Sequence, residues 1–254
     1  MKCNPTVKNI YDFIDGIAPF CKQCEWDNSG LIVGDANRTV TKIGVVLDIT
    51  EEAVSNAKAL GVDLIVSHHP VIFRATKSFL ANDPAYMLAA DGISAICAHT
   101  SLDCAKGGVN DVLAKTLGFE NAYSITDEGE AAILRIVETS PLSGEALAKM
   151  TAEKLNTGVR LADGGKMITK IALCGGAGGD FINEVVAAGC DAYITGDASH
   201  HEFLEALECS LTLIAAGHFE TENPVVPDLA ERIKSEFVVE VVVIPQSSPV
   251  KYYK

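Results

Sequence analysis

Basic side chains are scarce in this chain. Twenty lysines and arginines stand against 34 aspartates and glutamates, a formal charge of -14. A sequence-independent grip on a nucleic-acid backbone needs cations along the phosphates, so nucleic acid is not expected as a partner. A small anionic substrate stays open, because bound divalent cations invert the local field whatever the net charge. No uninterrupted apolar run approaches the ~18 residues of a membrane span. Met1-Lys2-Cys3-Asn4-Pro5 shows no basic region followed by an apolar core, so a soluble, cytoplasmic protein with no membrane partner is expected. Of eight cysteines only Cys21 and Cys24 are closely spaced, and without a second pair or a nearby histidine they are a weak signal for zinc or redox chemistry. Cys97, Cys174, Cys190 and Cys209 sit in apolar surroundings and read as small core residues of a protein from a reducing compartment.

With 254 residues, 48% of them hydrophobic, the chain can bury roughly 70–75% of its unfolded surface and needs no disulfides. Apolar positions at 7, 10, 11, 13, 14 and 17 predict a helix over 5–20, with Asn4-Pro5 as start and Pro19 as stop. A polar turn, Glu25-Trp26-Asp27-Asn28-Ser29-Gly30, precedes a short strand at 31–33. Its Trp26-Asp27-Asn28 core, with the only tryptophan, reads as a packing anchor with an Asx turn in preference to a substrate platform. The run 43–47 has the character of a strand buried on both faces, 51–60 is a helix stopped by Gly61, and 64–66 is the next strand. Strand, helix, strand at this spacing makes a parallel unit. A helix over 83–90, a strand at 94–97 and a helix opening at Gly107-Gly108 and closing at Leu117-Gly118 follow.

Between Asn121 and Glu130 the chain turns polar and acidic, and a domain crossing is expected there. A second unit then repeats the first. Thr169-Lys170 stands 22 residues before Asp191 as Thr41-Lys42 stands before Asp63, and in that register Asp197 aligns with His69. The expected architecture is α/β: two similar three-layer α/β/α domains related by internal duplication. A helix over 226–237 and the β-branched run 238–244 should return to the first sheet, giving domains of 1–124 with 221–254, and 125–220. Gly175–Gly179 lies between a strand and a helix; it lacks the strict GxGxxG pattern and reads as a tight turn in preference to an anion cradle.

Histidine is scarce too, and its placement carries the chemistry. The six fall in four stretches: His68-His69, His99 through Asp103, Asp197 through His200-His201, and His218 through Glu222. Each follows an expected strand, and in open α/β sheets ligands bind at the carboxyl ends of strands. A lone histidine there would more often cap a strand or bond to backbone; six in matched segments point to a metal site. Neighbours in an extended chain point in opposite directions, so one ion would not easily take both His68 and His69, whereas two ions would. His218 and Glu222 share a face if the chain is helical there, as do His99 and Asp103, and a carboxylate has two oxygens with which to bridge. Imidazole and carboxylate without thiolate suit Zn, Fe(II), Mn or Ni alike. Two such ions can share a water and lower its pKa toward about 7, and His99, His201 or Asp197, whichever is not a ligand, can then move protons.

These motifs resemble one family: the NGG-interacting-factor-three proteins of YbgI type, catalogued as GTP cyclohydrolase I type 2 homologues. The segments that carry the likeness are Trp26–Leu31, Leu47-Asp48, Ser67–Phe73, His99–Asp103, Gly107–Asp111, Gly196-Asp197 with His201, and Gly217-His218 with Glu222. Residues 121–165 carry no motif of it. The resemblance implies two interleaved α/β domains and a two-metal site. His68, Asp103 and Glu222 would hold one ion, and His69, His218 and Glu222 the other. His99 and His201 match positions of candidate proton-transfer groups; His200 matches none. A ring-shaped homohexamer is implied, as is hydrolysis of a nucleotide or similar heterocycle. The same ligands would equally serve a non-catalytic metal-binding, metal-delivery or regulatory protein.

Overall fold

The structure is a computed structural model that describes residues 4–126 and 130–251. In chain order its elements are α1 (Val7–Ile17), β1 (Gly30–Val33), β2 (Lys42–Val46), α2 (Glu51–Leu60), β3 (Leu64–Ser67), α3 (Pro84–Asp91), β4 (Ser94–Cys97), α4 (Thr100–Cys104), α5 (Val109–Leu117), β5 (Tyr123–Ser124), β6 (Arg135–Leu142), α6 (Gly144–Leu155), β7 (Arg160–Ala162), β8 (Ile168–Ala177), α7 (Ile182–Ala187), β9 (Ala192–Asp197), α8 (His200–Glu208), β10 (Thr212–Ala215), α9 (His218–Glu222), α10 (Val225–Glu236) and β11 (Glu240–Val243). Two compact units result: Met1–Lys106 with Val225–Gln246, and Gly107–Pro224 with Ser247–Lys254.

In the first unit a five-stranded sheet has the order β1-β4-β3-β2-β11, with β1 antiparallel on its edge and the rest parallel. Parallel strands covered on both faces need apolar side chains on both, and Ile43, Val45, Leu64, Ile65, Val66 and Ile96 are all buried. Val46, Ile65 and Ala95 share one cluster with Val54 and Ala57 of α2 and Leu88 of α3, while α10 packs beside β2 and β11. The ends of α2 follow local chemistry. The Thr50 hydroxyl accepts from the Ala53 amide at 3.1 Å, and Gly61 closes the helix at φ 70°. The cap of α1 is Thr6, not Asn4-Pro5: the Asn9 side chain accepts from the Thr6 amide at 2.9 Å, and the Thr6 hydroxyl accepts in return from the Asn9 amide. β11 pairs in parallel with β2 from Glu240↔Lys42 to Val243↔Val45, so the chain's return adds the last strand of the first sheet.

The second unit holds a six-stranded sheet of order β5-β6-β8-β9-β10-β7, in which β8, β9 and β10 run parallel and the outer strands antiparallel. Alternate residues of the central strands feed two cores. Ile171, Leu173, Ile194 and Ile214 meet Leu113 and Leu117 of α5 and Leu147 of α6, and Ala172, Cys174, Tyr193 and Leu213 meet Ile182 and Val185 of α7 and Ala206 of α8. Helices thus cover both faces of this sheet, the α/β/α layering expected.

The first crossing falls at 106/107, ahead of the polar stretch after Asn121, and the return at 224/225. Helix α5 explains the shift: Leu113, Ala114 and Leu117 are buried against the second sheet's strands. Residues 127–129 of the expected crossing lie outside the described residues. The 22-residue register is realised in bonds. Asp63 accepts from the Thr41 amide and hydroxyl at 2.8 and 2.6 Å and from the Lys42 amide at 3.1 Å. Asp191 accepts from the Thr169 amide and hydroxyl, both at 2.9 Å, and from the Lys170 amide at 3.1 Å. Burial alone would raise both carboxyls, but these bonds hold each below the usual aspartate range. Among the described residues no helix is long and apolar enough to cross a membrane.

Candidate metal centre

In the first unit the carboxyl ends of β3 and β4 deliver three histidines. The Ser67 hydroxyl donates to the His69 carbonyl and the Cys97 thiol to the His68 carbonyl, both at 2.8 Å, which fixes the backbone of the pair. His68 Nδ1 lies 2.9 Å from the Ala98 carbonyl, His69 Nδ1 2.8 Å from Asp48 Oδ1, and His99 Nδ1 2.8 Å from Asp27 Oδ1. A carbonyl or ionised carboxylate oxygen can only accept. Each Nδ1 therefore carries a hydrogen, which leaves Nε2 as the ring atom whose lone pair is available to a ligand when the ring is neutral. The three imidazoles offer ligand atoms within 4.8 Å of one another.

The alternation expected for neighbouring residues does not separate His68 from His69, because β3 ends at Ser67. Their ring centroids are 4.8 Å apart, and both lie near the His99 ring at 5.2 and 5.4 Å. The chain after His99 winds into the five-residue helix α4, which brings the buried Asp103 Oδ1 to 3.6 Å from His68 Nε2.

The turn at Trp26–Ser29 is the brace of this cluster. Besides His99, the Asp27 carboxylate accepts from the Thr100 amide at 3.0 Å, the Thr100 hydroxyl at 2.5 Å and the Ser29 hydroxyl at 3.1 Å. Burial would raise this carboxyl, but the bonds from His99 and Thr100 win and hold it far below the ordinary range. Ser29 Oγ accepts from the His99 amide at 3.0 Å, and Asn28 Nδ2 donates to the Ile72 carbonyl at 2.6 Å. Trp26 itself is not the packing anchor expected: it is 54% exposed. The turn's polar residues do the fastening, and the indole stays at the surface.

In the second unit Gly217, at φ 91°, turns β10 into α9, whose helical pitch places His218 and Glu222 on one face with Nε2 and Oε2 3.1 Å apart. Asp197, at the end of β9, bonds His218 Nδ1 through Oδ2 at 2.8 Å. It thus orients a histidine as Asp48 and Asp27 do in the first unit. Glycines make the room. Gly175 and Gly176 belong to β8 and not to a strand-to-helix turn, and a Cβ on Gly176 would sit 2.1 Å from Glu222 Oε1 and 3.3 Å from His218 Nε2. His200 and His201 open α8 exposed, with His201 Nδ1 2.8 Å from the Ser199 hydroxyl. Neither joins a ligand-capable group among the described residues.

Four of the six histidines thus have a carbonyl or carboxylate oxygen on Nδ1, and buried carboxylates stand beside His68 and His218. That donor set fits a divalent ion of the Zn, Fe, Mn or Ni kind. Of the residues singled out from the sequence, the structure brings Asp103 to His68 and Glu222 to His218; Asp27 and Asp48, which orient His99 and His69, carry no mark in the sequence as supports of those rings. The one signal is the place of Asp48, which follows the apolar run of β2 as the histidines follow theirs.

The family model described as Duf34/NIF3 (NGG1p interacting factor 3) matches residues 5–249. A "GTP cyclohydrolase 1 type 2 homolog" of Clostridium perfringens is 34% identical over 250 residues, covering 92% of this chain and 95% of that protein. A Staphylococcus aureus hypothetical protein of known structure superposes with a TM-score of 0.90 at 27% identity, over 98% of this chain and all of that one. Reduced HcgD from Methanocaldococcus jannaschii does so with a TM-score of 0.82 at 28% identity, over 94% and 97%. The chain belongs to the DUF34/NIF3 family.

Proposed function

We propose that the chain binds two divalent metal ions and uses them to hydrolyse a nucleotide-like heterocycle. The ligand sets are those the family resemblance implies: His68, Asp103 and Glu222 for one ion, His69, His218 and Glu222 for the other. One observation carries the reading: His68, His69, His99 and His218 all have Nδ1 tied to a carbonyl or carboxylate oxygen, the support that metal-ligating histidines need. Within single units, the approach of Asp103 to His68 and of Glu222 to His218 adds a carboxylate to each histidine.

Divalent ions held by these residues would supply Lewis acidity and an activated water near neutral pH. The chain's own residues do the rest. Asp48 and Asp197 keep His69 and His218 in one tautomer and one ring orientation. His99, held by Asp27, carries a proton to the departing ring nitrogen, and His201 is the second candidate for that step. The cyclohydrolase label borne by the relatives supplies the substrate class, and a homohexamer is proposed with it. A second reading, metal delivery without turnover, draws on the side chains of His69 and His218, which are 21% and 39% exposed and so open to exchange.

Elemental analysis of protein purified without added metal, paired with Glu222→Ala, tests the site. Loss of both ions supports a shared carboxylate; loss of one breaks the assignment. Formate release from GTP by metal-loaded protein, abolished in His99→Ala, tests the reaction, and its absence across a nucleotide panel leaves the delivery reading in place.

A further inference from the structure

Two large aromatic side chains stand at the surface beside the imidazole cluster of the first unit, and both are held there by polar bonds made by their neighbours. Trp26 is 54% and Phe73 44% exposed, with ring centroids 5.8 Å apart. Each also lies near the His99 ring, at 5.9 and 6.1 Å, in edge-to-face arrangement. The two aromatics come from segments far apart in sequence. The Asn28 side chain joins those segments through its 2.6 Å bond to the Ile72 carbonyl, next to Phe73. Asp27 ties the same turn to His99 and Thr100, so Trp26 is carried on a braced backbone. An indole left half in water forgoes the stabilisation of core packing, yet hydrogen bonds of the Asp27, Asn28 and Ser29 side chains fix the turn that presents it.

We infer that Trp26 and Phe73 form a stacking shelf for a planar nitrogen heterocycle, placing the ring against the edge of His99. The inference deepens the proposed function and rests on it for the class of ring. A flat π-face is what an exposed indole and phenyl recognise, with little regard to the ring's substituents. In a chain with so strong a negative charge, recognition through the ring also avoids relying on a phosphate tail. Trp26 and Phe73 are binding residues in this account, and His99 is the group they bring the ring to.

Trp26 is the only tryptophan, so the protein's own indole fluorescence reports on the shelf alone. The experiment titrates full-length, metal-loaded protein with guanosine, GTP and inorganic triphosphate, following quenching, and repeats the guanosine titration by calorimetry on Trp26→Phe, Trp26→Ala and Phe73→Ala. Guanosine and GTP should quench and triphosphate should not. Trp26→Phe should keep most of the affinity, and each alanine variant should lose about tenfold, the usual worth of one base stacked on an aromatic. Metal content and sedimentation of every variant are measured alongside. Quenching without formate release from GTP or any other member of the nucleotide panel keeps the shelf and refutes the hydrolase reading. Wild-type guanosine affinity in both alanine variants, or no guanosine binding at all, overturns the shelf. So does an alanine variant that changes only the oligomeric state, which would assign the aromatics to contact between copies of the chain.

Discussion

Gly176→Ala should weaken the second unit and the metal site together, and Gly189→Ala should do only a fraction of the first. Both glycines have positive φ, 64° and 71°, and both belong to the same unit. An alanine in that backbone region costs about 1–2 kcal/mol from the clash of Cβ with the following carbonyl. At Gly189 nothing else lies within 4 Å of the new methyl, so that cost is the whole effect. At Gly176 the methyl would stand 2.1 Å from Glu222 Oε1 and 3.0 Å from its carboxyl carbon, and Glu222 is buried, so its carboxylate has to move. Overpacking of this kind adds about 1–3 kcal/mol. With a urea slope of about 2–3 kcal/mol per molar, the midpoint should fall by roughly 0.5 M in Gly189→Ala and by roughly 1 M or more in Gly176→Ala. Metal content, by elemental analysis of the same samples, should be unchanged in the first and reduced in the second. A Gly176→Ala protein as stable as Gly189→Ala and holding as much metal would refute both the steric argument and the place of Glu222 among the ligands.

Asp48→Ala removes the acceptor on His69 Nδ1 and should lower metal affinity by about 10–100-fold in a competition titration with a chelator, with the unfolding midpoint little changed. Asp27→Asn should cost about 1–3 kcal/mol at neutral pH through the weakened bonds to His99 and Thr100. Asp27 is depressed in the folded state, so its stabilisation is complete above the unfolded value near 4 and is lost as pH falls toward the folded one. Unfolding midpoints of wild type and Asp27→Asn should therefore converge below about pH 4, and parallel acid limbs would contradict the assignment. Burial pushes the half-buried Cys190 thiol up to about 11, while Cys21 is exposed and so is Cys209, which its apolar surroundings in sequence place in the core. Iodoacetamide at pH 8 should label the exposed pair well before Cys190, as read by peptide mass spectrometry.

What could be read from the sequence is what local chemistry fixes. The paired histidines after an apolar run, the His-to-carboxylate step of four and the Thr-Lys…Asp spacing of 22 all turn on residue type at short range, and the last proved to be the same three-bond clamp in each unit. Helices α4 and α9, five residues each, are too short for any periodicity to show. Gly175 and Gly176 read locally as turn residues because their function, leaving space for Glu222, comes from a side chain 46 or more positions on. Asp27 and Asp48 act on histidines 72 and 21 residues away, and nothing in a local pattern marks a carboxylate as the support of a distant ring. The crossing at 106/107 is not legible locally for a related reason: polarity marks the stretch after Asn121, whereas burial of α5 against the second sheet decides where the unit begins.

The 22-residue register also shows how the two units use one strand-end geometry in opposite senses. In the first, the carboxylate Asp48 follows β2 and its histidine, His69, follows the neighbouring β3. In the second, the position that aligns with His69 is the carboxylate, Asp197 at the end of β9, and the histidine it orients, His218, follows the neighbouring β10. The same imidazole–carboxylate pair thus stands one strand further along in the second sheet. Such a shift is possible because adjacent parallel strands, about 4.8 Å apart, place their carboxyl ends within reach of one imidazole–carboxylate bond whichever strand carries which partner. It also predicts which exchanges a unit will tolerate. Restoring the pair in reversed order, Asp197→His with His218→Asp, should recover His–carboxylate contact in the second unit but lose the four-residue step to Glu222 that only a histidine at position 218 provides. That double variant should therefore fold with near wild-type stability by urea unfolding and bind less metal than wild type. Full metal content in it would mean that the orienting bond, and not the His218–Glu222 pair, is what the second unit contributes.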